Sequence, residues 1–258
     1  MMAKATRSDS VASIIRQLSA AQKTPKSTSA YIVFVNRPLG RLFAAFAFKL
    51  GGSPNGITAI SGTGTYLAAI ALALFGGSFP GALVAGIALC FFYALDSADG
   101  QLARLQGGGS LRGEWLDHFL DGGKIVLLHS AVLAILVRDD SVPLALSLVV
   151  PITFMLSSSL LYGGGTLVNE LKRRVPKPAG EHSTKPRVSN FGAKDWVMSF
   201  ALLAPEHGVI SLVVILLPLP GIFIPIYTAA ALVTAILCVS ISVKWYHDLA
   251  EADAGAGR

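Results

Sequence analysis

Residues 88–125 read Ala88-Leu-Cys-Phe-Phe-Tyr-Ala-Leu-Asp96-Ser-Ala-Asp99-Gly100-Gln-Leu-Ala103-Arg104-Leu-Gln-Gly-Gly-Gly-Ser110-Leu-Arg-Gly113-Glu-Trp-Leu-Asp117-His-Phe-Leu-Asp121-Gly-Gly-Lys124-Ile125. Two apolar stretches face each other here across a glycine-rich connector, and each carries a pair of aspartates. Asp96 and Asp99 are three residues apart and Asp117 and Asp121 four, so on helices each pair shares a face. A carboxylate in a membrane span costs about 2.5–3.5 kcal/mol on insertion scales, and such residues mostly face the protein interior and mark function. If the two stretches are neighbouring antiparallel spans, the four carboxylates converge in one pocket. Hard cations prefer oxygen ligands, and clustered carboxylates are how two-metal phosphate chemistry is built.

Composition supports the membrane reading. Of the 258 residues 53% are hydrophobic and only 14% charged, against about 25% charged in a soluble domain. Mean hydropathy is +0.61, and apolar runs near the length of a span follow one another with short connections. The formal net charge is +6, but the Lys and Arg residues sit before and between the apolar runs. That placement fits cytoplasmic loops and anionic lipid headgroups, not nucleic acid. Cys90 and Cys238 each stand alone in an apolar run and give no metal-ligand spacing or disulfide framework.

The expected fold is all-α: a polytopic bundle of six transmembrane helices preceded by an amphipathic interfacial helix. Residues 1–30 mix Lys, Arg, Ser and Ala without an apolar core of signal-peptide length, and are expected to form a mobile or surface-bound cytoplasmic arm. Tyr31 to Leu50 has apolar residues at helical spacing among Asn36, Arg37, Arg41 and Lys49, and gives the interfacial helix. The membrane domain runs over 31–250, and 251–258 is a short polar tail. Spans are expected over 57–75, 79–105, 111–137 and 143–171, then a fifth beginning at 196 or 205 and ending at 217, and a sixth ending near Trp245-Tyr246, which read as interface anchors. The small residues Gly62, Gly64 and Gly86 point to close helix packing. The amino-terminal arm, the 104–112 connector and the 172–194 connector are basic, so positive-inside counting puts both termini and both aspartate pairs on the cytoplasmic side.

The string Asp96-x2-Asp99-Gly100-x2-Ala103-Arg104-x8-Gly113-x3-Asp117-x3-Asp121 resembles the complete signature of the CDP-alcohol phosphotransferases. The likeness extends to Pro54-Asn55 with Thr58 at the start of the first span. It implies a transferase that moves a phosphoryl-alcohol group, a phosphatidyl group being the expected one, from a CDP-alcohol to an acceptor alcohol and releases CMP, in phospholipid biosynthesis. It further implies two divalent cations, Mg²⁺ or Mn²⁺, held by Asp96, Asp99, Asp117 and Asp121, with Asp121 also the general base. Asn55, Thr58, Asp96, Asp99, Gly100, Ala103, Arg104 and Gly113 would bind the CDP moiety. The resemblance also implies a homodimer in contact with membrane lipids, a cell-membrane location, and a donor such as CDP-diacylglycerol.

Gly113-Glu-Trp-Leu-Asp117-His118 is similar to the run found in choline and ethanolamine phosphotransferases, although Glu114 also suits a helix start at the interface. The inositol-phosphate branch carries an arginine-rich stretch on its fourth span; here that region reads Ser157-Ser-Ser-Leu-Leu-Tyr162-Gly-Gly-Gly165, which points away from an inositol phosphate acceptor. His118 lies about 100° around the helix from Asp117 and is expected to point away from the metals. His129 reads as a satisfied bundle residue. Lys124, one turn after Asp121, either pairs with a carboxylate or reaches phosphate. Glu206-His207 either lines an acceptor pocket or marks a helix break. The competing function is an ion- or proton-coupled transporter, whose acids would sit near the membrane midplane.

Overall fold

Three helices of this chain start with the same four-residue device, Ser-x-x-Gly. The computed structural model, which describes residues 6–20, 28–174 and 192–255, has Ser53, Ser78 and Ser110 in extended backbone conformation at the N-caps of α3 (Pro54–Phe75), α4 (Phe79–Asp96) and α6 (Leu111–Leu136). Each hydroxyl accepts from the amide three residues on: Gly56 at 3.1 Å, Gly81 at 3.3 Å and Gly113 at 3.2 Å. Such a cap satisfies one of the open amides and stabilises a helix by about 1 kcal/mol. Pro54 and Pro80 occupy the first turns of α3 and α4, where no amide partner is lost.

The described residues form helices and no strand. The order continues from α1 (Val11–Ala20) through a π-helical turn (Ile32–Asn36) into α2 (Arg37–Lys49), then α3 and α4. After α5 (Asp99–Leu105) and α6 come α7 (Leu144–Arg173), α8 (Ala193–Ala201), α9 (His207–Val213) and α10 (Pro220–Gly255). Helix α3 packs on both α4 and α6, α6 on α7, and α7 on α10, while α9 lies against α4. Their shared core is apolar and built around Leu72, Leu89, Leu128, Phe154, Phe223 and Tyr227. A Cβ at Gly62 would stand 2.6 Å from Leu120, at Gly86 2.5 Å from Ile215, and at Gly64 would overlap the Phe92 ring, so all three glycines permit close helix contacts. Gly107 and Gly108 reverse the chain between α5 and α6 with φ of 102° and 127°, a region costly for residues with a Cβ.

The membrane bundle agrees with expectation, and its count of spans is refined. Among the described residues, five helical segments are long and apolar enough to cross a bilayer: Pro54–Phe75, Phe79–Leu105, Leu111–Leu136, Leu144–Arg173 and Pro220–Ala254. The segment expected as the fifth of six spans is instead broken, with α8 ending at Ala201 and a short apolar helix covering His207–Leu216. That helix rises about 15 Å, half the hydrocarbon thickness. Pro205 stands before it, and Pro218 and Pro220 follow, each unable to continue a helix.

The amino-terminal stretch, expected as a mobile or surface-bound arm, contains a helix docked on α2. Val11, Ile14, Ile15 and Leu18 form a stripe at helical spacing, and Ile14 and Leu18 are buried with Ala44, Ala45 and Phe48 of α2 and with Ala98 and Leu102. Lys49 Nζ donates to the Asp9 carbonyl at 3.1 Å and closes this corner. Residues 1–5 and 21–27 of the arm, 175–191 of the basic connector and 256–258 of the tail lie outside the described residues. The helix expected over Tyr31 to Leu50 is found as the π-turn and α2. Its backbone neighbour is α5, where Gln101 donates to the Arg37 carbonyl at 3.2 Å.

Truncating Ile14 to Ala should weaken the docking of α1 by about 2–4 kcal/mol. Hydrogen exchange in detergent should then show lost protection in residues 11–20 with the bundle helices unchanged.

Candidate functional site

Helices α3 and α4–α5 run antiparallel, and two hydroxyls on α3 meet two carboxylates in matching order. Thr58 Oγ1 donates to Asp99 Oδ2 at 2.5 Å, and Ser61 Oγ donates to Asp96 Oδ1 at 3.0 Å. Asp99 Oδ1 also accepts from the Gly100 amide. Asp96 ends α4 and Asp99 begins α5, so the break between the two helices falls inside the motif. Asp117 comes in from the second turn of α6. One oxygen from each of Asp96, Asp99 and Asp117 lies within 4.8 Å of the others.

Three like charges at that spacing repel by several kcal/mol, since one pair at 4 Å costs about 4 kcal/mol at an effective dielectric of 20. One cation already stands at the edge of the group. Lys124 Nζ donates to Asp96 Oδ1 at 2.6 Å and to Asp121 Oδ1 at 2.8 Å, and its side chain is only 3% exposed. Lysine is rarely buried to this degree without partners. Asp121 is the fourth carboxylate and stands apart from the group of three. Its Oδ2 accepts from the Tyr162 hydroxyl at 3.4 Å, and it faces a cavity of about 710 Å³.

The remaining residues expected at the site divide into two groups. Asn55 and Gly113 are brought together where α3 and α6 start: a Cβ at Gly113 would come 2.6 Å from Asn55 Oδ1. Gly100 is exposed, and a Cβ there would meet nothing nearer than Arg104 Nη1 at 3.8 Å, so the backbone beside Asp99 is open to a ligand. Arg104 is exposed on the following turn, while Ala103 is buried. Arg37, on α2, lies near Arg104 and Arg41. Burial first, then these two guanidiniums, lower its pKa below the usual arginine value. The open side of the motif is therefore basic.

His118, expected to point away from the site, has Nδ1 2.8 Å from the Tyr162 hydroxyl, the same hydroxyl that donates to Asp121 Oδ2. His129 Nδ1 is 2.7 Å from the Tyr227 hydroxyl in the core. Lys124 pairs with carboxylates, the first of its two expected roles. Glu206 caps no helix turn with its side chain but accepts from the Tyr93 hydroxyl and lines the cavity together with His207. Trp245 packs over Gly164 and Gly165 of α7.

Ser61, Tyr162 and Arg37 were not foreseen. Ser61 follows Thr58 by three residues, the same interval that separates Asp96 from Asp99, and that matched spacing was the available signal. Nothing in the sequence ties Tyr162 to Asp121, 41 residues away.

Comparison with known proteins agrees with this geometry. A family model, CDP-alcohol phosphatidyltransferase, matches residues 52–249. That range covers more than half of the chain, and the chain belongs to this family. A search of curated proteins finds no match.

Replacing Lys124 with Met leaves Asp96 and Asp121 without their cation. Loss of one partner from a buried ion pair costs about 3–5 kcal/mol. Thermal unfolding of the purified variant without added divalent cations should fall well below wild type, and an unchanged midpoint would show that the bridge is unimportant.

Proposed function

We propose that this chain transfers a phosphoryl-alcohol group, a phosphatidyl group in the simplest case, from a CDP-alcohol to an acceptor alcohol with release of CMP, as a step of phospholipid synthesis. The observation that supports it most is the meeting of the Asp96, Asp99 and Asp117 oxygens within 4.8 Å. An all-oxygen donor set of this kind suits a hard divalent cation. Asp96, Asp99 and Asp117, joined by Asp121, would hold two cations, Mg²⁺ or Mn²⁺, which when bound supply charge neutralisation for the diphosphate and the departing CMP.

This chain's own residues would do the rest. Thr58 and Ser61 fix the carboxylates of Asp99 and Asp96 by direct hydrogen bonds. Gly100 leaves the backbone accessible, and Arg104 stands one turn on, where a guanidinium can pair with phosphate oxygens. Asn55 and Gly113 set the spacing of the two helix starts that border the nucleotide. Asp121, a quarter exposed and facing the cavity, is the base. It takes the acceptor hydroxyl's proton as that oxygen bonds to the phosphorus carrying the donor alcohol, and the bond from that phosphorus to CMP breaks. The basic face near Arg37 and Arg104 suits the cytoplasmic side of a cell membrane, where nucleotide donors are available. The family likeness also favours a homodimer. Coupled transport fits less well, because Asp96, Asp99 and Asp117 sit at or near helix ends.

Two measurements test this reading. Mn²⁺ should raise the unfolding temperature of the wild type in detergent, and should do so much less for Asp117→Asn. With a CDP-alcohol, acceptor and Mg²⁺, Asp121→Asn should release CMP at least about 100-fold more slowly while still binding the donor. Turnover like that of wild type would remove the base assignment.

A further inference from the structure

Asp121 stands outside the group of three carboxylates, and both of its oxygens already have donors from the chain. Oδ1 accepts from Lys124 Nζ at 2.8 Å and Oδ2 from the Tyr162 hydroxyl at 3.4 Å. The same ammonium reaches Asp96 Oδ1 at 2.6 Å, an oxygen that also accepts from Ser61 Oγ. Asp117 is the opposite case. It receives no hydrogen bond from a described residue, although one of its oxygens lies within 4.8 Å of oxygens from Asp96 and Asp99. One cation position is therefore open to an ion from outside. Any second cation drawing on Asp121 competes with an ammonium that is part of the chain.

Charge points the same way. Four ionised carboxylates and one ammonium leave three negative charges, and one divalent cation reduces them to one. A second divalent cation would leave the site net positive, and Arg104 on the next turn adds to the excess. An ammonium beside two such ions in a site shielded from water is strongly repelled unless an anion accompanies them. The diphosphate of a CDP-alcohol is such an anion. Lys124 also borders the cavity of about 710 Å³, so its flexible four-carbon stem has space into which to withdraw.

We propose that Lys124 holds the place of the second divalent cation. The chain alone binds one ion, at Asp96, Asp99 and Asp117. A second joins at Asp121 only together with the donor's diphosphate, as Lys124 gives up its two carboxylates. The proposal rests on the transferase reading above and adds the order in which the ions load.

The test measures Mn²⁺ binding to the full chain in detergent by equilibrium dialysis, with the electron paramagnetic resonance of the bound ion as a second readout. Wild type without nucleotide should bind one Mn²⁺ per chain and give the spectrum of an isolated ion. With CDP-diacylglycerol, CDP-choline or CDP, and no acceptor, at least one of the three should produce the spin-coupled spectrum of a pair about 3.5–4 Å apart. Lys124→Met should bind two ions without any nucleotide, and Mn²⁺ should restore the unfolding temperature that this variant loses in its absence. Asp121→Asn should keep the single ion at wild-type affinity, whereas Asp117→Asn should weaken it at least about tenfold.

Two ions, or none, in nucleotide-free wild type overturn the proposal without recourse to any variant. So does a single ion in folded Lys124→Met, or equal weakening by Asp121→Asn and Asp117→Asn. CMP release by wild type is followed alongside, with a panel of CDP-alcohols and acceptors. A failed ion count with CMP still released removes this proposal alone. No CMP from any pair, with or without metal, removes the transferase reading and this proposal with it.

Discussion

Lys124 lies between Asp96 on α4 and Asp121 on its own helix and joins the two carboxylates through one ammonium. An ammonium almost wholly removed from water is itself costly, so the arrangement holds only because both partners are within 2.8 Å. It follows that α4 and α6 are locked at one depth and one rotation relative to each other. The hydroxyl rungs from Thr58 and Ser61 add α3 to the same register. Three helices are thus aligned at their functional ends by polar contacts, while Leu72, Leu89 and Leu128 hold them together deeper in the bundle by apolar packing that specifies register less sharply.

This division of labour explains where sequence reading succeeded. Helices α3, α4, α6, α7 and α10 were legible because each is a long apolar run bounded by glycine, proline or a basic loop. The four aspartates were singled out by their spacing of three and four residues; of the four expected in one pocket, Asp96, Asp99 and Asp117 meet, with a helix break between the first two, and Asp121 lies outside that group. The pairing of Lys124 was half legible, since its interval from Asp121 placed it correctly but left its partner open.

What escaped depended on which helices become neighbours. The fifth expected span reads as apolar by composition, yet its prolines stop it short, and His207–Leu216 lies against α4 as a partial crossing. The docked α1 was hidden because Arg, Gln and Ser separate its apolar residues, and hydropathy averaged over a window loses a stripe of four. Ser61 and Tyr162 carry no signal of their own. A hydroxyl on an apolar helix becomes informative only when the facing carboxylate is known.

The broken segment also has a chemical consequence. A continuous fifth helix would present only side chains to the interior. By stopping at Ala201 and restarting at His207, the chain brings Pro205-Glu206-His207 to the cavity beside Tyr93, next to the apolar Met198 and Leu202. The aspartate side of the site is set by the register of α3, α4 and α6, with one helix break between Asp96 and Asp99. The opposite wall is built from an interruption, whose shape depends on a few prolines and on one tyrosine–glutamate contact. The two walls therefore differ in what a substitution disturbs, because residues 202–206 can change without moving the helices that align the carboxylates.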